Sequence, residues 1–180
     1  MLVYLLGGLA AAVVGLVAFV ASRPSQFRVV RECKITAPPE AVFYNINNLR
    51  RWDDWSPWAK KDPNAVLTYG ARSEGAGASY TWNGNKEVGE GTLTITESNP
   101  HRAIRMKLDF VRPFKCSNDV DFSFSPDGDG TKVVWGMNGK NNFMSKAICL
   151  VMNMDRMVGG DFEKGLNNLK SLTETSSTAN

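Results

Sequence analysis

The sequence predicts an α+β fold: a curved antiparallel sheet wrapped around a long C-terminal helix and preceded by one transmembrane helix. Three observations predict it. Residues from Leu2 to Ala21 form an uncharged apolar run; segments between Phe27 and Met137 alternate apolar and polar side chains; and from Met144 the apolar period lengthens to three or four residues.

A helix over Leu2 to Ala21 is about 30 Å long at about 1.5 Å per residue, the thickness of a bilayer core. A cleaved signal peptide is the rival reading, with Val20-Ala21-Ser22 as a weak cleavage site. Against it, the basic n-region is missing and the run is longer than an h-region needs. Arg23, Arg28 and Arg31 follow the run and no Lys or Arg precedes it, so the positive-inside rule puts the domain in the cytoplasm. Gly7, Ala11 and Gly15 share one helix face, a small-residue pattern that suggests a weak homodimer contact. The chain therefore divides into a transmembrane helix at 1–22, a linker at 23–26, one domain at 27–173 and a flexible tail at 174–180.

Phe27, Val29, Cys33 and Ile35 alternate with charged residues and predict a first strand. Pro38-Pro39-Glu40 opens a short helix whose apolar face is Val42, Phe43, Ile46 and Leu49. The stretch Trp52-Asp53-Asp54-Trp55-Ser56-Pro57-Trp58 reads as a loop, broken by Pro57 and its acids. Strand patterns follow on Ala78, Tyr80 and Trp82; on Gly89, Gly91, Leu93 and Ile95; and on Ile104, Met106, Leu108 and Phe110. Phe114 to Phe124 gives another strand, and Asp127-Gly128-Asp129-Gly130 turns it into the last one, carrying Val133, Trp135 and Met137. The closing helix bears Ala147, Val151, Met154, Val158, Phe162, Gly165, Leu169 and Leu172 on one face, with an interruption expected at Gly159-Gly160.

Composition narrows the function. A formal net charge of +3 with scattered basic residues gives no footprint for nucleic acid. Cys33, Cys116 and Cys149 lack metal spacing and read as small buried apolar residues. The single histidine, His101, follows Asn99-Pro100 in a turn, so no imidazole stands beside a nucleophile. Asp127-Gly128-Asp129-Gly130 lacks the distal Glu of a calcium loop. No catalytic residue, metal site or cofactor is predicted.

Several stretches, in this order, resemble the START-like, or SRPBCC, superfamily in its polyketide cyclase/dehydrase branch. They are Ile35-Thr36-Ala37-Pro38-Pro39-Glu40-Ala41-Val42-Phe43, Trp55-Ser56-Pro57-Trp58, Gly89-Glu90-Gly91 and Gly160-Asp161-Phe162-Glu163-Lys164-Gly165-Leu166. The resemblance implies the helix-grip (START-like) fold and a cavity between sheet and closing helix that receives a lipid, polyketide or other apolar molecule. It implies no reaction, since the superfamily shares no catalytic residue set.

Candidate ligand-binding residues follow from phase. Arg31 and Asn118 interrupt apolar faces, so each meets either a ligand's polar head or an internal partner. Gly89 and Gly91 leave either room beneath the closing helix or a bulge in the sheet. Tyr80, Trp82, Met106 and Trp135 lie on the inward phase, Met154 and Val158 on the closing helix, and Trp55 and Trp58 at the pocket entrance, at the bilayer interface or packed on the first helix. The expectation is membrane-anchored binding of a lipid or other hydrophobic small molecule. A cyclase/dehydrase using Asn118, Arg31 or Tyr80 to polarise a carbonyl, and a membrane interaction protein with a vestigial cavity, are the alternatives.

Overall fold

The computed structural model describes the backbone at residues 1–140, 143, 146, 147 and 154–178, and the side chains of these except at 2, 3, 5, 154, 177 and 178. The expected helix positions Met144 and Val151, the thiol of Cys149 and the side chain of Met154 lie outside the described residues.

Helix α1 (Leu2–Ala21) leads through a four-residue linker into β1 (Gln26–Ile35). Next come α2 (Pro39–Asn47), a 3-10 turn at Leu49–Arg51, and the short helices α3 (Trp52–Trp55) and α4 (Pro57–Lys61). Six strands follow: β2 (Val66–Tyr69), β3 (Ser79–Asn83), β4 (Glu90–Asn99), β5 (Ala103–Arg112), β6 (Cys116–Asp127) and β7 (Gly130–Lys140). The chain closes with α5 (Met154–Thr178). The sheet order is β1-β7-β6-β5-β4-β3-β2, antiparallel throughout, so the consecutive strands β1 and β2 lie at opposite edges and α2 to α4 carry the chain between them.

The tryptophan stretch expected as a loop is instead helical. Pro57 occupies the first turn of α4, where its missing N–H is no loss, and the Trp52 and Trp55 indoles donate to the Ile46 and Asn45 carbonyls at 2.9 and 3.1 Å. Strand β2 escaped the sequence reading because four residues are too few to show a period.

Helix α5 packs on β1, α2, α3 and α4, burying Phe162, Leu166 and Leu169. Polar contacts pin it along its length: Lys61 to Asp161 at 2.5 Å, the Asn168 amide to the Trp55 carbonyl at 3.0 Å, and the Thr36 N–H to Glu174 at 2.7 Å. The expected break at Gly159-Gly160 does not occur, and the polar stretch after 173, expected as a flexible tail, continues the helix to Thr178. Glu174, docked on Thr36, holds that last part to the domain.

Among the described residues no helix is long and apolar enough to cross a membrane. Helix α1 is itself 20 residues long, and three of its apolar side chains, at 2, 3 and 5, fall outside the described set. Leu6, Leu9, Val14 and Leu16 stand exposed along it.

Candidate functional site: the outer rows of the concave sheet face

Residues paired across neighbouring strands share a level, and the register sorts inward side chains into rows. The outermost row is Trp82, Gly91, Phe110 and Cys116. Below it lie Tyr80, Leu93, Leu108, Asn118, Gly139 and Phe27. The third row is Ile95, Met106, Val120, Met137 and Val29, and the fourth Ile104, Phe122, Trp135 and Arg31.

Burial divides these rows. The third is wholly buried, whereas Trp82, Phe110, Tyr80, Leu108 and Phe27 in the first two are only half-buried. Tyr69 on β2 extends this surface, its ring 5.9 Å from Tyr80, which is in turn 6.0 Å from Trp82. The outer rows thus form a continuous aromatic face whose β2 to β5 side lies away from the elements on which α5 packs.

Two polar groups stand in the second row. Asn118 is buried, yet among the described residues its amide makes one weak contact, from Nδ2 to Cys116 Sγ at 3.9 Å. Gly139 permits this placement, because a Cβ there would run into both the Asn118 amide oxygen and the Phe27 ring. Tyr80 stands three strands away, about 14 Å at about 4.8 Å per strand. Burial, then Tyr69 and Asp53, pushes its phenol well above the usual range, so it stays a neutral donor and acceptor. Asp53 is itself raised by burial and by Asp54, with the hydrogen-bonding Tyr69 hydroxyl opposing.

The remaining sequence candidates resolve differently. Arg31 does point inward, but α5 consumes it: Nε donates to Glu163 at 2.6 Å, Nη1 to Asp155 Oδ1 at 3.0 Å and the Val30 carbonyl at 2.8 Å, and Nη2 to Asp155 Oδ2 at 3.0 Å and the Asp155 carbonyl at 3.1 Å. All five guanidinium donors are engaged, leaving none for a ligand head. Hydrogen bonds that Arg31 donates to Asp155 and then to Glu163 hold its pKa above its ordinary value.

The space between sheet and α5, expected as a cavity, holds packed aromatics around Trp135. Its ring stacks on Phe162 at 4.0 Å and 7°, and on Phe122 at 4.8 Å and 30°. Trp55 lies 5.6 Å and Trp58 5.8 Å away, edge-on. Trp55 and Trp135 are therefore core residues, Trp58 and Val158 are half-buried at its margin, and Met106 forms the buried floor beneath the outer rows. Among the described residues the Trp135 indole N–H has no partner. Cys116 is exposed and Cys33 half-buried, against the expectation that both are buried.

The room attributed to Gly89 and Gly91 is also occupied. A Cβ on Gly91 would meet the Trp82 ring and the Asp109 carbonyl, so this glycine makes space for an indole. Gly89 has φ of 68°, and a Cβ there would meet the Arg112 carbonyl, so it answers to backbone conformation and close approach. A dimple lined by Met1, Tyr4, Gly8 and Leu9 lies open on the outside of α1 and is no enclosed site.

Tyr69, Leu93, Leu108, Phe110 and Phe27 belong to the candidate face without having been singled out. For all but Tyr69, whose strand is too short to show a period, the period-two phase was the available signal, but phase alone does not tell a half-buried row from a buried one.

A seven-stranded antiparallel sheet, four short helical elements at its crossover and a long closing helix define the helix-grip class. The chain belongs to the polyketide cyclase / dehydrase and lipid transport family, whose model matches residues 26–174. No curated protein matches. Among solved structures, a Chromobacterium violaceum protein is similar at 16% identity and TM-score 0.56, over 84% of this chain and 99% of that one. The Aha1 protein of Colwellia psychrerythraea, solved as a dimer, is similar at 13% identity and TM-score 0.54, over 82% and 94%. DynU16, a putative protein of the dynemicin biosynthetic locus, is similar at 12% identity and TM-score 0.57, over 86% of this chain and 49% of that one. At these identities the likeness is one of fold.

Proposed function

We propose that the protein binds a lipid or other hydrophobic small molecule on the outer two rows of its sheet while held to the membrane by α1, with the domain on the cytoplasmic side. The single observation that carries the binding reading is Asn118, a buried amide with one weak contact among the described residues, set in a half-buried aromatic face. A hydroxyl or carbonyl on a ligand can pair with that amide, a hydrogen bond that contributes about 0.5–1.5 kcal/mol net. Tyr80, at the other end of the same row, offers a second polar contact with Leu93 and Leu108 between. Trp82 and Phe110, edge-on at 5.4 Å, supply the apolar contact above them. Family membership agrees with a hydrophobic ligand.

Anchoring is supported by the 20-residue α1, free of charged residues, and by the basic residues that follow it. Gly7, Ala11 and Gly15 are exposed along it, which leaves room for a second copy of the helix.

Native mass spectrometry and solvent extraction of the full-length chain test the binding reading. Co-purifying lipid or uptake of an apolar fluorophore is the expected result, with Asn118→Leu weakening ligands that carry a hydroxyl or carboxyl head more than plain hydrocarbons. A chain that takes up neither sinks it. Anchoring is tested separately by a carbonate wash, after which the chain should stay in the membrane pellet.

A further inference from the structure

We infer that the tip of the β5–β6 hairpin, residues 111–115, docks on the anionic bilayer surface that receives α1, so that the outer rows of the sheet open toward lipid. The inference rests on the anchoring of α1 and adds which end of the domain meets the bilayer, and through which residues.

An antiparallel sheet has two ends, and the register assigns every connection to one of them. Gln26 pairs with Lys140, Asn83 with Glu90 and Phe110 with Cys116, so the start of β1, the end of β7 and the β3–β4 and β5–β6 hairpins share one end. The β6–β7 turn, where Asp127 pairs with Gly130, and the β4–β5 turn, where Asn99 pairs with Ala103, occupy the other. Helix α1 enters at the first end.

Residues 22–25, which join α1 to β1, span about 14 Å at most, at about 3.5 Å per residue. Since Asn118 faces Gly139 and Gln26 faces Lys140, Ser117 lies level with Gln26. Phe114 projects three residues farther, about 10 Å at about 3.3 Å per residue. The hairpin tip therefore reaches back toward the depth at which α1 ends.

Its chemistry suits that depth. Val111 is 47% and Phe114 55% exposed, two large apolar side chains at a hairpin tip with no place in the core. Around them, at the same end, stand the exposed Arg23, Lys86, Lys115 and Lys140, none in an ion pair among the described residues, alongside the acids Glu87, Asp62, whose carboxylate accepts from the Asn85 N–H, Asp109, and Glu90, which pairs with Arg112. The opposite end carries Asp127, Asp129 paired with Lys34 at 3.0 Å, and Arg102 in the β4–β5 turn. Apolar side chains ringed by unpaired basic ones match a surface of anionic head groups over hydrocarbon. Docked in this way, the Trp82–Phe110 row lies next to the leaflet, and an apolar ligand reaches it without crossing bulk water.

The test uses the full-length chain reconstituted in phosphatidylcholine/phosphatidylglycerol vesicles. Phe114→p-benzoylphenylalanine should cross-link lipid several-fold more than Asp129→p-benzoylphenylalanine at the opposite end. Equal labelling, or none at 114 in a chain that survives a carbonate wash, overturns the inference and leaves anchoring intact; a chain released by the wash removes both. Val111→Ser combined with Phe114→Ser, both at exposed positions, should slow uptake of an apolar fluorophore from vesicles several-fold and leave uptake from dilute solution unchanged. Equal slowing from both sources also overturns the inference.

Discussion

Arg31 on β1 and Gly159 on α5 are fitted to each other: a Cβ on Gly159 would lie inside the Arg31 guanidinium. The glycine opens a slot in the helix surface, and the arginine fills it while spending every donor on Asp155, Glu163 and the backbone. An inward arginine that looked from its phase like a ligand contact is a clasp between the first strand and the closing helix.

The neighbouring glycines should then respond in opposite directions. Nothing lies within 4 Å of a Cβ on Gly160, so Gly160→Ala should stabilise by about 0.8–1 kcal/mol through helix propensity. Gly159→Ala has the same propensity gain but displaces the pinned guanidinium, where overpacking costs about 1–3 kcal/mol, so it should be neutral to destabilising. In an Arg31→Ala background Gly159→Ala should become stabilising. Urea midpoints of the four variants settle it, and equal stabilisation at both glycines would show that the slot carries no constraint.

The same clasp makes a pH prediction. Hydrogen bonding from Arg31, and then its charge, holds the Asp155 carboxyl below its ordinary value of 3.8. A carboxyl depressed in the folded state contributes stability above its unfolded pKa and loses that contribution as pH falls through the folded one. The stability gap between wild type and Asp155→Asn should therefore be constant near neutrality and close below about pH 4. A gap that widened in acid would contradict the assignment.

For the outer row, Gly91→Leu should cost about 1–3 kcal/mol, because the added side chain must evict the Trp82 ring. Binding of an apolar fluorophore should fall with it. Retention of both stability and probe binding, read by urea denaturation and fluorescence titration, would mean that Trp82 has somewhere else to lie.

Beneath α5 the aromatic stack should separate packing from polarity. Phe162→Ala opens a hole against Trp135 and should cost about 3–5 kcal/mol. Trp135→Phe keeps a stacking ring and removes the unpartnered N–H, so its cost should stay within about 1 kcal/mol. A large loss in the second variant would indicate that the indole N–H has a partner, such as a buried water.

Individual residues show why the elements were readable and their roles less so. Leu93, Met106, Val120 and Met137 announce their face by alternation alone, since a strand's side-chain period is fixed by the backbone. Asn118 was equally legible as an inward polar residue. The phase could not show that it would be left with one weak contact while Arg31, with the same signature, found five.

By itself the sequence determined the periodic elements, the class of fold, the apolar first segment and the inward set of side chains, because period and burial phase are local properties of the chain. Tertiary structure decided what fills each inward position. Trp82 closes over Gly91, Phe162 stacks on Trp135 and the guanidinium of Arg31 lies in the slot at Gly159. It also decided that the half-buried face lies in the two outer rows rather than beneath α5. These are meetings of residues up to about 130 positions apart, and volume complementarity at such distances is set by strand register and helix docking, which no local pattern encodes.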